Sequence, residues 1–476
     1  MAVSAAGPDA VVVGAGPNGL SAAVELARAG RSVVVFEAAE TIGGGTRSAE
    51  LTRPGFLHDI CSAVHPFIHA SPFFRELDLP SLGVETAHPE LPFAHPLPDG
   101  SAACLHRSVD DTAALLGRDG RAYRRMMGPL VDSAEELIIE VLGPLRPPRH
   151  PIALARFGLR AIRSANGLAR RFDGDEARAL VAGVAAHAML PLTRPPTAGV
   201  ALFLMLLAHS AGWPMSRGGS HRITQALAHR LTGLGGRIVL STPVARIEEL
   251  PAASAYLFDV TPRQLLEIAG SRLPERYKRA LRRYRYGPGV FKMDWALSEP
   301  VPWKAEECRR AGTIHIGGPF EAIAESERET NLGRHPDRPY VLLAQPTLVD
   351  PGRAPDGKHT LWAYSHVPSG SSRDMSEAME SQIERYAPGF KDTIIARATR
   401  NAVQMETYNS NYVGGDINGG VQDVFQHFTR PVARLSPYTT PNKSIYICSS
   451  STPPGGGVHG MCGYFAARAA LKRAFR

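Results

Sequence analysis

Gly14, Gly16 and Gly19, in the run Val11-Val12-Val13-Gly14-Ala15-Gly16-Pro17-Asn18-Gly19-Leu20, have the type and spacing that bring backbone against a diphosphate. Gly14 permits a tight turn, Gly16 lets the chain approach the phosphates, and Gly19 lets the next helix pack on the preceding strand. Pro17 and Asn18 fall in the first turn of that helix, whose free N–H groups and positive dipole end favour an anion. Val11 to Val13 read as a strand buried on both faces. Gly30 closes the helix, and Ser32-Val33-Val34-Val35-Phe36 is a second parallel strand. Glu37 at its end is placed to accept hydrogen bonds from an adenosine ribose. Strand, turn, helix, strand and acid together predict a dinucleotide site rather than a bare βαβ turn.

Two further glycine segments indicate which dinucleotide. In Ile42-Gly43-Gly44-Gly45-Thr46-Arg47, Gly44 and Gly45 can lie along the diphosphate while Arg47 offers a fixed positive charge; otherwise Arg47 is a solvated loop residue. At the other end of the chain, Tyr446-Ile447-Cys448 reads as a strand before Pro453-Pro454-Gly455-Gly456-Gly457-Val458-His459-Gly460. Gly456 and Gly457 let backbone touch a flat ring where side chains would collide. A helix from near Val458 and His459 would aim its N–H groups at a ring edge that gains negative charge on reduction. The two ends together predict FAD.

These segments resemble the superfamily of phytoene desaturases and amine oxidases, in which strand–GxGxxG–helix–strand–Glu is followed by GG-x-x-R. The likeness continues through Pro54-Gly55-Phe56-Leu57-His58-Asp59 and Ser62-Ala63-Val64-His65-Pro66. It is nearest to the phytoene-dehydrogenase-related branch that includes the pyridine nucleotide-disulfide oxidoreductase domain-containing proteins. The resemblance implies that Val244 lies beside the adenine and that Asn409 to Gly420 lies near the ring and the substrate mouth. There Asp416 orients substrate or flavin, or else stabilises a turn. It also implies that Lys292, which alternation puts on one strand face with Val290 and Asp294, holds a water against the reactive flavin nitrogen; a solvated strand lysine is the alternative. His65 and His69 face the ring or are structural. One departure is Ser449-Ser450-Ser451, where relatives carry a glycine followed by a small or acidic residue. Cys462 lies in the final helix, as a buried thiol rather than a tether, so the FAD is expected to be non-covalent.

At 476 residues, 44% hydrophobic and 21% charged, the chain suits two globular domains. The net charge is +8, carried mostly by arginine, with no basic block interleaved with aromatics; this excludes nucleic acid as a partner. Five scattered cysteines without a close pair or metal spacing fit a reducing cytoplasm and exclude a redox-active dithiol. The start of the chain lacks a basic segment and an apolar signal core, so a cytoplasmic location is expected. Thr197 to Trp213 is short for a bilayer span and reads as a buried helix. Arg146 to Arg171 mixes arginines with Ile152, Leu154, Phe157, Leu159 and Ile162, a pattern suited to peripheral contact with a membrane surface or to covering a pocket.

Residues 1–75, 215–270 and 435–476 carry the nucleotide signals, and 76–214 and 271–434 the substrate domain. The middle nucleotide segment begins with Ser220 as a helix N-cap and continues through strands at Arg237 to Leu240 and Ala255 to Val260. The expected fold is α/β, an interrupted Rossmann-type FAD-binding domain plus a mixed α+β substrate domain. The expected activity is FAD-dependent removal of hydride from a C–H bond of a hydrophobic, isoprenoid or lipid-like molecule, with oxygen or quinone as electron acceptor. An amine oxidase, a redox-neutral isomerase and a non-catalytic flavin scaffold are the alternatives.

Overall fold

The computed structural model describes residues 7–475, so residues 1–6 and 476, at the outer ends of the first and last nucleotide segments, lie outside the described residues. Two sheets carry the architecture of those residues. The first is five-stranded and wholly parallel, in the order Ile445–Ile447, Ala255–Phe258, Ala10–Val13, Val33–Phe36, Arg237–Val239. Its central strand, Ala10–Val13, is buried throughout, as a strand covered by helices on both faces must be. The helix Pro17–Arg28 starts with proline at its first turn and buries an alanine-rich face. Against it packs the last helix, Met461–Arg473, so close that a Cβ on Gly463 would overlap the Asn18 carbonyl oxygen. The strand order reverses direction between Ala10–Val13 and Ala255–Phe258. Ligands of open parallel sheets bind beyond the carboxyl ends of strands at such a switch point.

The second sheet is mixed and seven-stranded, in the order Ile394–Arg400, Gly289–Leu297, His359–Val367, Val341–Ala344, Ala311–Ile316, Leu91–Pro96, Ala102–Leu105. Register sorts its residues onto two faces. Lys292 lies opposite Tyr364, Asp294 opposite Trp362, Leu342 opposite Tyr364 and His315 opposite Leu342. These residues share one face, because side chains alternate with period two. The other face carries Phe291, Met293, Trp295, Leu343, Leu361 and Ile314, which form a separate core together with Met379 and Ile383 of the helix Ser376–Tyr386. The polar and aromatic face turns toward the first sheet.

Thr197–Ser210 is a helix, buried almost all round. No described helix is long and apolar enough to cross a membrane. Residues 109–141 form three helices, Val109–Leu115, Gly120–Val131 and Ala134–Val141, parted at Gly117–Asp119 and at Ser133. Ser220 does not cap its helix: it has helical backbone angles, and its hydroxyl bonds to the Ser62 carbonyl instead.

Candidate functional site

The glycine turn and its partners meet at the switch point. Gly14 has φ +102° and Gly44 φ +53°, and a Cβ on Gly44 would stand 3.2 Å from the Gly16 Cα. Two loops thus face each other with no side chain between them. Among the described residues, the N–H groups of Gly16, Asn18, Gly44 and Gly45 donate to no protein acceptor. The Asn18 side-chain oxygen is buried without a partner, and its amide reaches the Ser450 hydroxyl at 3.4 Å, joining the two ends of the chain. Open donors around a cradle of bare backbone fit a diphosphate. Gly14 and Gly19 shape the turn behind it, and a Cβ on Gly19 would overlap the Gly14 carbonyl oxygen.

Glu37 stands at the end of its strand, as expected. Its carboxylate accepts the Ala15 N–H at 2.7 Å, the Ala39 N–H at 3.0 Å and an Arg47 N–H at 3.2 Å. Arg47 also donates to the Thr41 and Ile42 carbonyls, so its charge sits at the Glu37 end of the loop. Val244 is half-buried on the segment that pairs with this strand end, where the Thr242 N–H reaches the Glu37 carbonyl. Glu37 and Arg47 therefore pair at one end of the cradle, with Val244 two residues beyond the Thr242 contact, and none of the three borders the cavity.

At the other end, Gly455 and Gly457 have φ +116° and +128°. A Cβ on Gly457 would meet the Phe67 ring at 2.9 Å, and one on Gly456 the Asn418 carbonyl at 2.9 Å. Gly457 and Val458 border the cavity. The helix begins at Met461 rather than near Val458, because Gly460 takes a left-handed turn first. His459 is buried: its ring bonds to the Gly455 carbonyl and the Met461 N–H and braces the turn. Burial pulls its pKa down to about 4. Asp416 accepts the N–H groups of Gly287, Asn418 and Gly420 at 2.7 to 3.0 Å, and organises the loop that brings Asn418 and Gly419 to the cavity. Burial raises its pKa despite those bonds. Arg430, also buried, ties Gly419, Ser450 and Ser451 together through their carbonyls.

One cavity connects the cradle to the polar face of the second sheet. It is bordered by Gly16, Pro17, Asn18, Gly44 and Gly45 at the cradle and by Trp213, Leu342, Trp362 and Tyr364 at the roof. Lys292 lies behind that roof, its ammonium 4.9 Å from the Trp362 ring centre and 2.6 Å from the Asp294 carboxylate. Burial lowers the lysine pKa and raises that of Asp294 to about 6. His65 borders the cavity and bonds to the Ser220 hydroxyl at 2.8 Å, whereas His69 bonds to Thr86 and stacks on His88.

Several bordering residues lie outside the sequence motifs. Asp259, at the end of the strand across the switch point, accepts the Gly19 N–H at 2.9 Å. Burial raises its pKa to about 7, with the Glu37 charge adding to the effect. Its place directly after Ala255–Phe258 is a signal that the switch-point rule could have read. His187, Cys61 and Thr313 come from distant segments and have no motif. All five cysteines are buried, and the Cys462 thiol points to the Thr452 and Gly455 carbonyls.

Residues 12–77 match the model of the NAD(P)-binding Rossmann-like domain. The chain is 25% identical to pyridine nucleotide-disulfide oxidoreductase domain-containing protein 2 of Mus musculus, over 98% of this chain and 93% of that protein. It is 25% identical to a phytoene desaturase of Fusarium fujikuroi, over 94% of this chain and 86% of that one. A double mutant of putrescine oxidase shares its fold with a TM-score of 0.63 at 19% identity, over 98% of this chain and 99% of that one. By this likeness the chain is an oxidoreductase, similar over nearly its whole length to pyridine nucleotide-disulfide oxidoreductase domain-containing protein 2 and to phytoene desaturases.

Proposed function

We propose that the protein binds FAD non-covalently and uses it to remove hydride from a C–H bond of a lipophilic small molecule. The observation that carries this reading is the continuous cavity from the unpartnered N–H groups of Gly16, Asn18, Gly44 and Gly45 to the aromatic roof of Trp213, Trp362 and Tyr364. In this reading residues 1–75, 215–270 and 435–476 form the cofactor domain, and 76–214 with 271–434 the substrate domain. Gly14, Gly16, Pro17, Asn18, Gly19, Gly44 and Gly45 receive the diphosphate. Glu37, Arg47 and Val244 hold the adenosine. Gly456, Gly457, Val458 and His459 present backbone to the ring.

A bound flavin supplies a two-electron acceptor. The protein positions the reacting carbon and excludes water, which asks little acid–base chemistry of side chains. Lys292 acts through the roof by holding charge behind Trp362, and Asp416 sets the loop at the ring end. The electron acceptor in this reading is oxygen or a quinone. Oxidation of an amine is the second reading, favoured by the aromatic roof. Peripheral membrane contact, at a cytoplasmic surface, is supported by Ile152, Leu159 and Ile162, all more than half exposed beside arginines. Co-sedimentation with anionic vesicles tests it, and loss of binding in a triple serine variant is expected.

The purified protein is expected to show the absorbance of oxidised flavin, and acid precipitation to release it to the supernatant as FAD. A protein that neither contains flavin nor takes up added FAD would overturn this reading. Colour retained in the acid pellet would overturn the non-covalent part.

A further inference from the structure

We propose that the cavity recognises a neutral oxygen group, a hydroxyl or a carbonyl, on its lipophilic ligand, through His187 backed by His315. This deepens the oxidoreductase reading and rests on it. The pair is built from remote parts of the chain: His187 closes the turn after the helix Asp175–Ala185, and His315 lies on the polar face of the second sheet. Their Nε2 atoms are 3.1 Å apart, so one donates and the other accepts. His187 borders the cavity and is partly open, whereas His315 is wholly buried.

The pair is held rigidly. His315 stacks on Tyr340 with ring centres 6.2 Å apart, and a Cβ on Gly183 would strike the His315 ring at about 2.9 Å. Tyr340 in turn donates to the Gly183 carbonyl at 2.8 Å. With Nε2 engaged, Nδ1 is the His187 nitrogen left for a ligand. The His315 Nδ1 is buried without a partner, so neither tautomer of that ring is favoured by a bond on its far side. When His315 accepts, His187 Nδ1 accepts from a ligand hydroxyl. When His315 donates, His187 Nδ1 donates to a ligand carbonyl.

The surroundings select against charge. Burial holds His187 at about 3 and His315 well below the ordinary imidazole value, so both rings are neutral at physiological pH. Facing the two rings are His95, Tyr340, Tyr364 and the buried pair of Glu327 with His366, whose side chains engage each other at 2.7 Å. The roof around His187 is otherwise Leu204, Trp213, Thr313, Leu342, Trp362 and Tyr364, with no carboxylate for a cation. A pure hydrocarbon would strip water from His187 and return no hydrogen bond.

The test uses 1-decanol, n-decane and decylamine with the FAD-loaded protein and its His187→Leu and His187→Gln variants. Binding is read by tryptophan fluorescence, since Trp213 and Trp362 border the cavity, and FAD content is measured separately. Expected is a loss of roughly tenfold or more in decanol affinity for His187→Leu, with decane binding unchanged or tighter and decanol binding partly kept by His187→Gln. Unchanged decanol affinity in both variants, or decylamine binding tightest to the native protein, would overturn the proposal. A protein that takes up no FAD yet shows the His187-dependent preference sinks the redox reading and leaves the binding site standing.

Discussion

The Asp259 carboxylate accepts the Gly19 N–H at 2.9 Å, so an acid of this chain shares the helix terminus meant for a diphosphate. A Cβ on Gly16 would lie 2.9 Å from the same oxygen. The carboxylate and the cradle are one neighbourhood. Two negative charges there repel, and burial already favours the neutral acid.

Cofactor uptake should therefore weaken as pH rises through about 7, the value to which burial raises Asp259. A folded pKa above the unfolded one means the folded state holds the extra proton, so stability falls as pH rises from about 4 to 7. Asp259→Asn should flatten both dependences. FAD titration and thermal unfolding from pH 5.5 to 8.5 check this; parallel curves for both proteins would refute it.

Gly44→Val should empty the site and spare the fold. Its side chain would enter the gap against Gly16, and φ +53° is strained for a branched residue. Bound flavin should drop at least tenfold, with unfolding shifted by about 1–2 kcal/mol. Absorbance per polypeptide and urea denaturation give the two numbers.

Lys292→Met should destabilise the protein more at pH 8 than at pH 5. Without the ammonium 2.6 Å away, Asp294 keeps only neutral His58 at 3.7 Å and the more distant Arg400, and its raised pKa climbs further. Stability is lost as pH rises through that value, by about 3–5 kcal/mol for a broken buried pair. The double variant Lys292→Met with Asp294→Leu should regain most of it. Urea denaturation at the two pH values decides.

Arg353 links regions remote in sequence: its guanidinium contacts Asp59 and Asp350 and the Ser216 carbonyl, all buried. Arg353→Met strands two carboxylates and should cost about 3–5 kcal/mol. Arg353→Lys should recover little, because an ammonium cannot span three acceptors with the planar guanidinium geometry. Denaturant midpoints of the two variants check the order.

The sequence by itself determined the parts whose physics is local. Gly14, Gly16, Gly19, Gly44 and Gly457 are demanded by backbone angle or contact, and such demands leave a residue-type trace at fixed spacing. Apolar runs at Ala10–Val13 and Val33–Phe36 likewise announce strands covered on both sides. Only the tertiary structure decided what faces the cavity. Asp259 comes to the glycine turn because parallel pairing sets Phe258 beside Val13. His187 and His315 meet across 128 residues. Lys292 lies behind Trp362 because antiparallel register sets Asp294 opposite it. A shift of one residue in that register would turn the whole polar row into the other core. Register belongs to the pairing of distant strands, and no single strand's sequence contains it.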